Sequence, residues 1–121
     1  MSGPKRNPNK PHSRAHRPSD GRRQANVILP REGVDLPVPP PPETTNFTPD
    51  QQKRYDSLWH SPMSAEWEES VAGQVALLVV LEDQLLSGKG SAWTASTVQT
   101  IVDSLGLSPK AMMHLGWEMG D

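Results

Sequence analysis

The side chains with the clearest chemical potential are cations crowded near the N-terminus. Eight of the chain's twelve Lys and Arg residues lie in the first 31 positions, with a single acid, Asp20. They are Lys5, Arg6, Lys10, Arg14, Arg17, Arg22, Arg23 and Arg31. This segment carries a net charge of about +7, and the remaining 90 residues carry about −9. Clustered cations neutralise phosphates, so the segment is a candidate nucleic-acid contact. The alternative is an unstructured, solubilising terminus.

Other residues with possible chemistry form weaker patterns. His12 and His16 have metal-ligand spacing only if helical, and they lie among prolines with no third ligand nearby. The run GKGS after Ser87 resembles a phosphate-binding loop, but Gly90 stands where that loop needs Ser or Thr. The acids from Glu66 to Asp83 could assemble a metal-dependent nuclease site, although solvated helix faces explain them more simply. The sequence therefore predicts no catalytic residue, no metal site and no cofactor.

The segment that carries the cations has the composition of a disordered arm. Residues 1–43 hold ten of the thirteen prolines and few large apolar side chains. The run Leu36–Pro42 predicts an extended polyproline spacer, and its PxxP pattern could alternatively enter an aromatic-lined groove. Val27–Leu29 is a short apolar island that either docks on the body, docks on a neighbouring subunit, or is a chance cluster. We expect residues 1–43 to be a disordered basic, Pro-rich arm and linker.

Residues 44–121 predict a small all-α domain of about four helices. Thr48, Pro49 and Gln51 have the pattern of a capping box at a helix start. Tyr55, Leu58 and Trp59 then share one face of the first helix. Lys53 and Arg54 point elsewhere and are further candidates for phosphate contact, or else are solvated surface.

The second helix, predicted over Met63–Leu86, is the most apolar part of the chain. Every residue from Val75 to Leu81 is apolar, so the helix is hydrophobic nearly all round. A domain this small is marginal alone, and copies of the chain could cover such a helix. The predicted oligomerisation residues are Trp67, Val71, Val75, Leu78, Val79 and Leu85. The alternative is that they form the core of a monomer.

Two shorter helices complete the predicted domain. One is expected over Thr94–Leu105 with Gly106 as its stop, and one begins at Ser108-Pro109. The four tryptophans lie at helix ends or junctions, where one large side chain can seal a small core. No cysteine is present, and the longest apolar run, Val71–Leu81, is too short to span a bilayer. We therefore expect an intracellular protein without a membrane partner.

Several motifs together resemble the small terminase subunits of phages that infect actinobacteria. They are the basic Pro-rich start, LPREGVDLPVPPPP, WHSP with a following Trp67, a long central helix, and the closing LGLSPKAMMHLGW. The resemblance runs from about Leu29 to Trp117. Relatives commonly place arginines where this chain has Met112 and Met113, which suggests packing or a protein partner at that point.

This resemblance implies a non-catalytic component of viral DNA packaging. Such subunits form ring oligomers, bind double-stranded viral DNA in the host cell cytoplasm, and present it to the large terminase subunit. The large subunit holds the ATPase and the nuclease. Another nucleic-acid-binding regulator, or a phage assembly adaptor with the same arm, stays open as an alternative.

Overall fold

The computed structural model describes residues 27–121, and within them four α-helices form the body. The helices are α1 (Pro49–Trp59), α2 (Ala72–Leu86), α3 (Ala92–Leu105) and α4 (Pro109–Leu115). A short parallel sheet pairs β1 (Val27–Leu29) with β2 (Trp117–Met119). The predicted helices are confirmed, and the sheet is an addition to the predicted all-α class. No helix in this described range is long and apolar enough to cross a membrane.

α1 begins where the sequence indicates. The Thr48 hydroxyl accepts a hydrogen bond from the Gln51 backbone amide at 3.1 Å. The Gln51 side chain in turn accepts one from the Thr48 amide at 2.9 Å. Pro49 follows in the first turn, where its missing N–H has no partner to lose. Tyr55, Leu58 and Trp59 are buried along one face, as their spacing predicts.

α2 begins at Ala72, not at the predicted Met63. Two 3₁₀ turns, Pro62–Glu66 and Glu69–Val71, precede it, and Trp67 lies between them with an extended backbone (ψ 146°). The Trp67 indole donates a hydrogen bond to the Leu105 carbonyl at 2.9 Å. Its ring also stands nearly perpendicular to that of Trp59, with centroids 5.2 Å apart. These tertiary contacts outweigh the helical pattern of the sequence before Ala72.

α2 and α3 form an antiparallel hairpin. The Ser91 hydroxyl caps α3 by accepting a hydrogen bond from the Thr94 amide at 3.2 Å, so α3 begins two residues before the predicted Thr94. At the far end of the hairpin, the Ser104 hydroxyl lies 3.3 Å from the side-chain oxygen of Gln74. Gly106 ends α3 in a left-handed conformation (φ 72°), as predicted.

Residues 27–43, which the sequence assigns to the arm and linker, contact the helical body. β1 lies beside β2 with Val27 opposite Trp117, and Val27 and Leu29 are buried. The Tyr55 hydroxyl donates a hydrogen bond to the carbonyl of Pro39, also buried, at 2.9 Å. Burial raises the pKa of Tyr55 above its ordinary value of 10.0. The apolar island therefore docks on the body of its own chain, and the polyproline run contacts α1 through Pro39.

Three of the four tryptophans seal this core. Trp59, Trp67 and Trp117 are buried, and they join residues of α2, α3 and β1 in one hydrophobic core. Trp117 covers Gly106 so closely that a β-carbon at that position would overlap its ring. Trp93 differs, because 67% of it is exposed at the start of α3. The predicted sealing role holds for Trp59, Trp67 and Trp117 and is wrong for Trp93.

Candidate nucleic-acid interface

Most of the predicted phosphate-binding cations lie outside the described residues. Lys5, Arg6, Lys10, Arg14, Arg17, Arg22 and Arg23 all precede Val27. What the structure gives is the point at which this basic segment meets the body. The Val27 amide donates a hydrogen bond to the Gly116 carbonyl at 2.8 Å, and the Gly120 amide donates one to the Leu29 carbonyl at 2.8 Å. The base of the arm is therefore fastened to the C-terminal strand.

Arg31 follows β1 and belongs to the same fastening. Its Nε donates a hydrogen bond to the Gly120 carbonyl at 2.6 Å, and the residue is exposed. This contact holds the side chain at the edge of the sheet, beside the strand that leads back to the basic segment. Of the ten predicted phosphate-binding residues, Arg31 is the one that the structure places at the base of the arm.

Lys53 and Arg54 are neighbours in sequence but do not form a common basic patch. Arg54 faces α2 and holds Glu82 through two hydrogen bonds, from Nε at 3.0 Å and from Nη2 at 3.2 Å. Its charge is therefore balanced by a carboxylate of the same chain, and a phosphate would have to displace Glu82. Lys53 is exposed and points in a different direction from Arg54. The pair was predicted as possible phosphate contacts, and Lys53 alone presents an unbalanced cation.

The charge of the described residues opposes DNA binding. Residues 27–121 contain five Lys and Arg against thirteen Asp and Glu, a net charge of −8. Besides Arg31, Lys53 and Arg54, the cations are Lys89 in the α2–α3 loop and Lys110 in α4, both exposed and distant in sequence. A surface that binds phosphates needs several cations close together. The described body has scattered cations and an excess of carboxylates.

A cleft of about 430 Å³ lies between the start of α1 and the end of α2, and it is acidic. It is lined by Val79, Leu86, Asp50, Gln51, Arg54, Glu82 and Asp83. Glu82 is paired with Arg54, and Asp83 accepts a hydrogen bond from the Gln51 side-chain amide at 2.8 Å. Within residues 27–121, no group of three His, Cys, Asp or Glu side chains is arranged to hold a metal ion. The paired carboxylates fasten α1 to α2.

Most of the predicted oligomerisation residues lie in the chain's own core. Trp67, Val75, Leu78 and Val79 are buried, and Val71 and Leu85 are half-buried. Residues covered in this way are not available to a second copy unless the fold opens. Homo-oligomerisation stays a prediction. The exposed large apolar residues of the hairpin are Leu77, Leu86 and Trp93, none of which is among the six predicted oligomerisation residues.

The family comparison agrees with the resemblance noted in the sequence. A family model described as phage terminase small subunit matches residues 1–120, nearly the full length given. No curated protein matches the chain, and no solved structure does. The match includes the basic N-terminal segment together with the helical body and the C-terminal strand that fastens them. The chain therefore belongs to the phage terminase small subunit family.

Proposed function

We propose that this chain is the non-catalytic, DNA-recruiting subunit of a phage packaging machine. In this proposal it binds double-stranded viral DNA in the host cell cytoplasm and presents it to the large terminase subunit. The ATP hydrolysis and DNA cleavage of packaging belong to that large subunit. Membership of the small-subunit family supports the packaging role.

The observation that carries the DNA-binding part is the separation of charge along the chain. Residues 1–26 contain seven Lys and Arg and one Asp, a net charge of +6, whereas residues 27–121 carry −8. Arg54 is occupied by Glu82, so the body offers few cations to a phosphate. The DNA affinity is therefore assigned to residues 1–26, acting through the phosphate backbone.

The arm and the body have opposite effects on DNA binding. Phosphate contacts release counterions whatever the base sequence, so they supply affinity and little specificity. The acidic body repels the same duplex that the arm attracts, so bound DNA is held on the side of β1 and β2. Several copies in one assembly would add their arms, and weak single-arm binding would become useful avidity.

A truncation at the boundary seen in the structure tests the DNA-binding part. Deleting residues 1–26 removes seven cations and leaves β1 intact, so the body should stay folded. Binding to duplex DNA should weaken strongly. The slope of log affinity against log salt should become shallower by up to about six per chain, since each phosphate contact contributes about 0.9.

Two further variants make this test specific. A full-length chain in which the seven cations before Val27 are replaced by Gln should behave like the truncation, because length is kept and charge is lost. Lys53→Gln should change affinity only slightly. Equal affinity and salt slope for the truncated and full-length proteins would overturn the assignment. For the packaging part, the purified large subunit of the same phage should form a complex with the chain, and a failure to bind it would favour another nucleic-acid-binding role.

A further inference from the structure

An uncharged face runs along the α2–α3 hairpin on the side away from α1. Residues three or four positions apart lie on the same face of a helix. Where two antiparallel helices pack side by side, two such faces can form one common surface. This hairpin face consists of Gln74, Leu77, Val80 and Gln84 of α2 with Trp93, Thr97, Thr100 and Ser104 of α3. The Ser104 to Gln74 contact of 3.3 Å shows that the two rows meet. None of the eight positions carries a charge.

The charges of the hairpin helices are directed elsewhere. Glu82 and Asp83 of α2 face α1, where they meet Arg54 and Gln51. Asp103 of α3 accepts a hydrogen bond from Gln99, one turn earlier on the outer side of the helix, at 3.0 Å. The hairpin face is thus uncharged in a body whose described residues carry −8.

The same face leaves large apolar side chains in water. Leu77 is 45% exposed and Trp93 is 67% exposed, and Val80 between them is half-buried. Exposed tryptophan is costly in water and is among the residue types that dominate binding energy at protein interfaces. Interface centres are also depleted of charge, as this face is.

We infer that the hairpin face is the surface on which a second copy of this chain docks. Two bodies with the same negative charge repel each other, so they can approach closely only through a surface that carries none. The other exposed leucine of α2 illustrates the point. Leu86 is 84% exposed, but it lines the acidic cleft with Asp50, Glu82 and Asp83, where a like-charged copy is disfavoured. This inference rests on the self-association included in the proposed function and gives it a location.

The residues in this surface differ from those first predicted for it. Most of the apolar stripe from Trp67 to Leu85 lies in the core of each copy, and the docking surface is a different face of the hairpin that includes Leu77 and Trp93. Truncating these side chains therefore separates assembly from folding, which a substitution at Leu78 cannot do.

Sedimentation of the full-length protein tests the inference. The wild type should sediment as an oligomer, and Leu77→Glu should raise the dissociation constant between copies by about thirtyfold or more. Trp93→Ala should weaken assembly in the same direction. Leu86→Glu is the matched control, with the same chemistry at an exposed position of the same helix, and it should leave assembly unchanged. Circular dichroism should show all variants folded, since the changed side chains are exposed.

The outcomes separate this inference from the DNA-binding proposal. A monomeric wild type, or dissociation by Leu86→Glu and not by Leu77→Glu, would overturn the hairpin face as the docking surface. Monomeric Leu77→Glu protein should still bind duplex DNA in a salt-dependent way through one arm, at lower apparent affinity. A wild type that assembles but does not bind DNA would overturn the proposed function and leave the docking surface standing.

Discussion

Residues 27–43 and α2 have contrasting sequences, yet both contribute side chains to the same hydrophobic core. The first region is rich in proline and predicts an unpacked linker, whereas α2 is apolar nearly all round and predicts a helix covered by other copies. In the structure the linker packs onto the helical body. Val27, Leu29 and Val38 belong to the same core as Val75, Leu78 and Val79. The cover that α2 requires comes partly from its own chain, and each region explains the other.

Deleting both the arm and the linker should cause the largest loss of stability. Removal of residues 1–43 takes away β1 and the Pro39 contact, and it exposes apolar surface of α1 and of the sheet side of the core. The loss should approach the whole stability of a small domain, about 5–15 kcal/mol, so the protein should be unfolded or molten. Thermal unfolding followed by circular dichroism should show a cooperative transition for the chain lacking residues 1–26 and none for the chain lacking residues 1–43.

Single leucine truncations make the comparison quantitative. Leu29 of β1 and Leu78 of α2 are both fully buried, so Leu29→Ala and Leu78→Ala should each lower the free energy of unfolding by about 2–5 kcal/mol. Leu36 lies in the same linker but is 58% exposed, and Leu36→Ala should change stability by less than about 0.5 kcal/mol. Denaturant unfolding measures all three. A negligible effect at Leu29 would mean that the linker is a plain spacer after all.

Gly106 packs against Trp117, which is the first residue of β2. β2 in turn pairs with β1, at the start of residues 27–43. A β-carbon at Gly106 would overlap the Trp117 ring, and the backbone there is left-handed. Gly106→Ala should therefore cost about 1–3 kcal/mol from overlap and strain together. Gly88→Ala separates the two causes, because Gly88 has the same left-handed backbone and open space around it. Gly106→Ala should be the more destabilising substitution by denaturant unfolding.

A smaller loss of stability is expected from removing the hydrogen bond from Tyr55 to Pro39. Tyr55→Phe leaves the buried Pro39 carbonyl without this donor and should cost about 1 kcal/mol. Burial raises the Tyr55 pKa, so the folded state holds the phenol proton more tightly than the unfolded chain does. Wild-type stability should therefore be intact below pH 10 and should fall as the pH rises above it.

The pH dependence has a direct spectroscopic check. Tyr55 is the one tyrosine of the chain, so the phenolate absorbance reports its titration alone. The absorbance midpoint of the folded protein should lie above that of the denatured protein. In Tyr55→Phe the alkaline loss attributable to this group should disappear. A midpoint at the ordinary value would mean that the polyproline run does not bury the phenol in solution.

The helix boundaries show which features local sequence patterns can predict. The caps at Thr48, Ser108 and Gly106 were predictable because each depends on hydrogen bonds or backbone conformation within a few residues. The start of α2 was not, because Trp67 leaves the helical path to reach the Leu105 carbonyl, 38 residues away. The candidate nucleic-acid interface also has a part that the sequence predicts and a part that depends on tertiary contacts. The basic arm is visible in composition, whereas the pairing of Arg54 with Glu82 depends on how α1 lies against α2.

The sequence by itself determined the helical character, the capped ends of three helices, the separation of a cationic segment from an acidic body, and the resemblance to small terminase subunits that the family match confirms. These follow from local periodicity, composition and motif, which need no knowledge of distant contacts. Only the tertiary structure decided that Val27–Leu29 pairs with Trp117–Met119 and that Trp93 stays in water while Trp59, Trp67 and Trp117 are buried. An apolar residue favours burial against any apolar neighbour, and which neighbour it meets is set by the path of the whole chain.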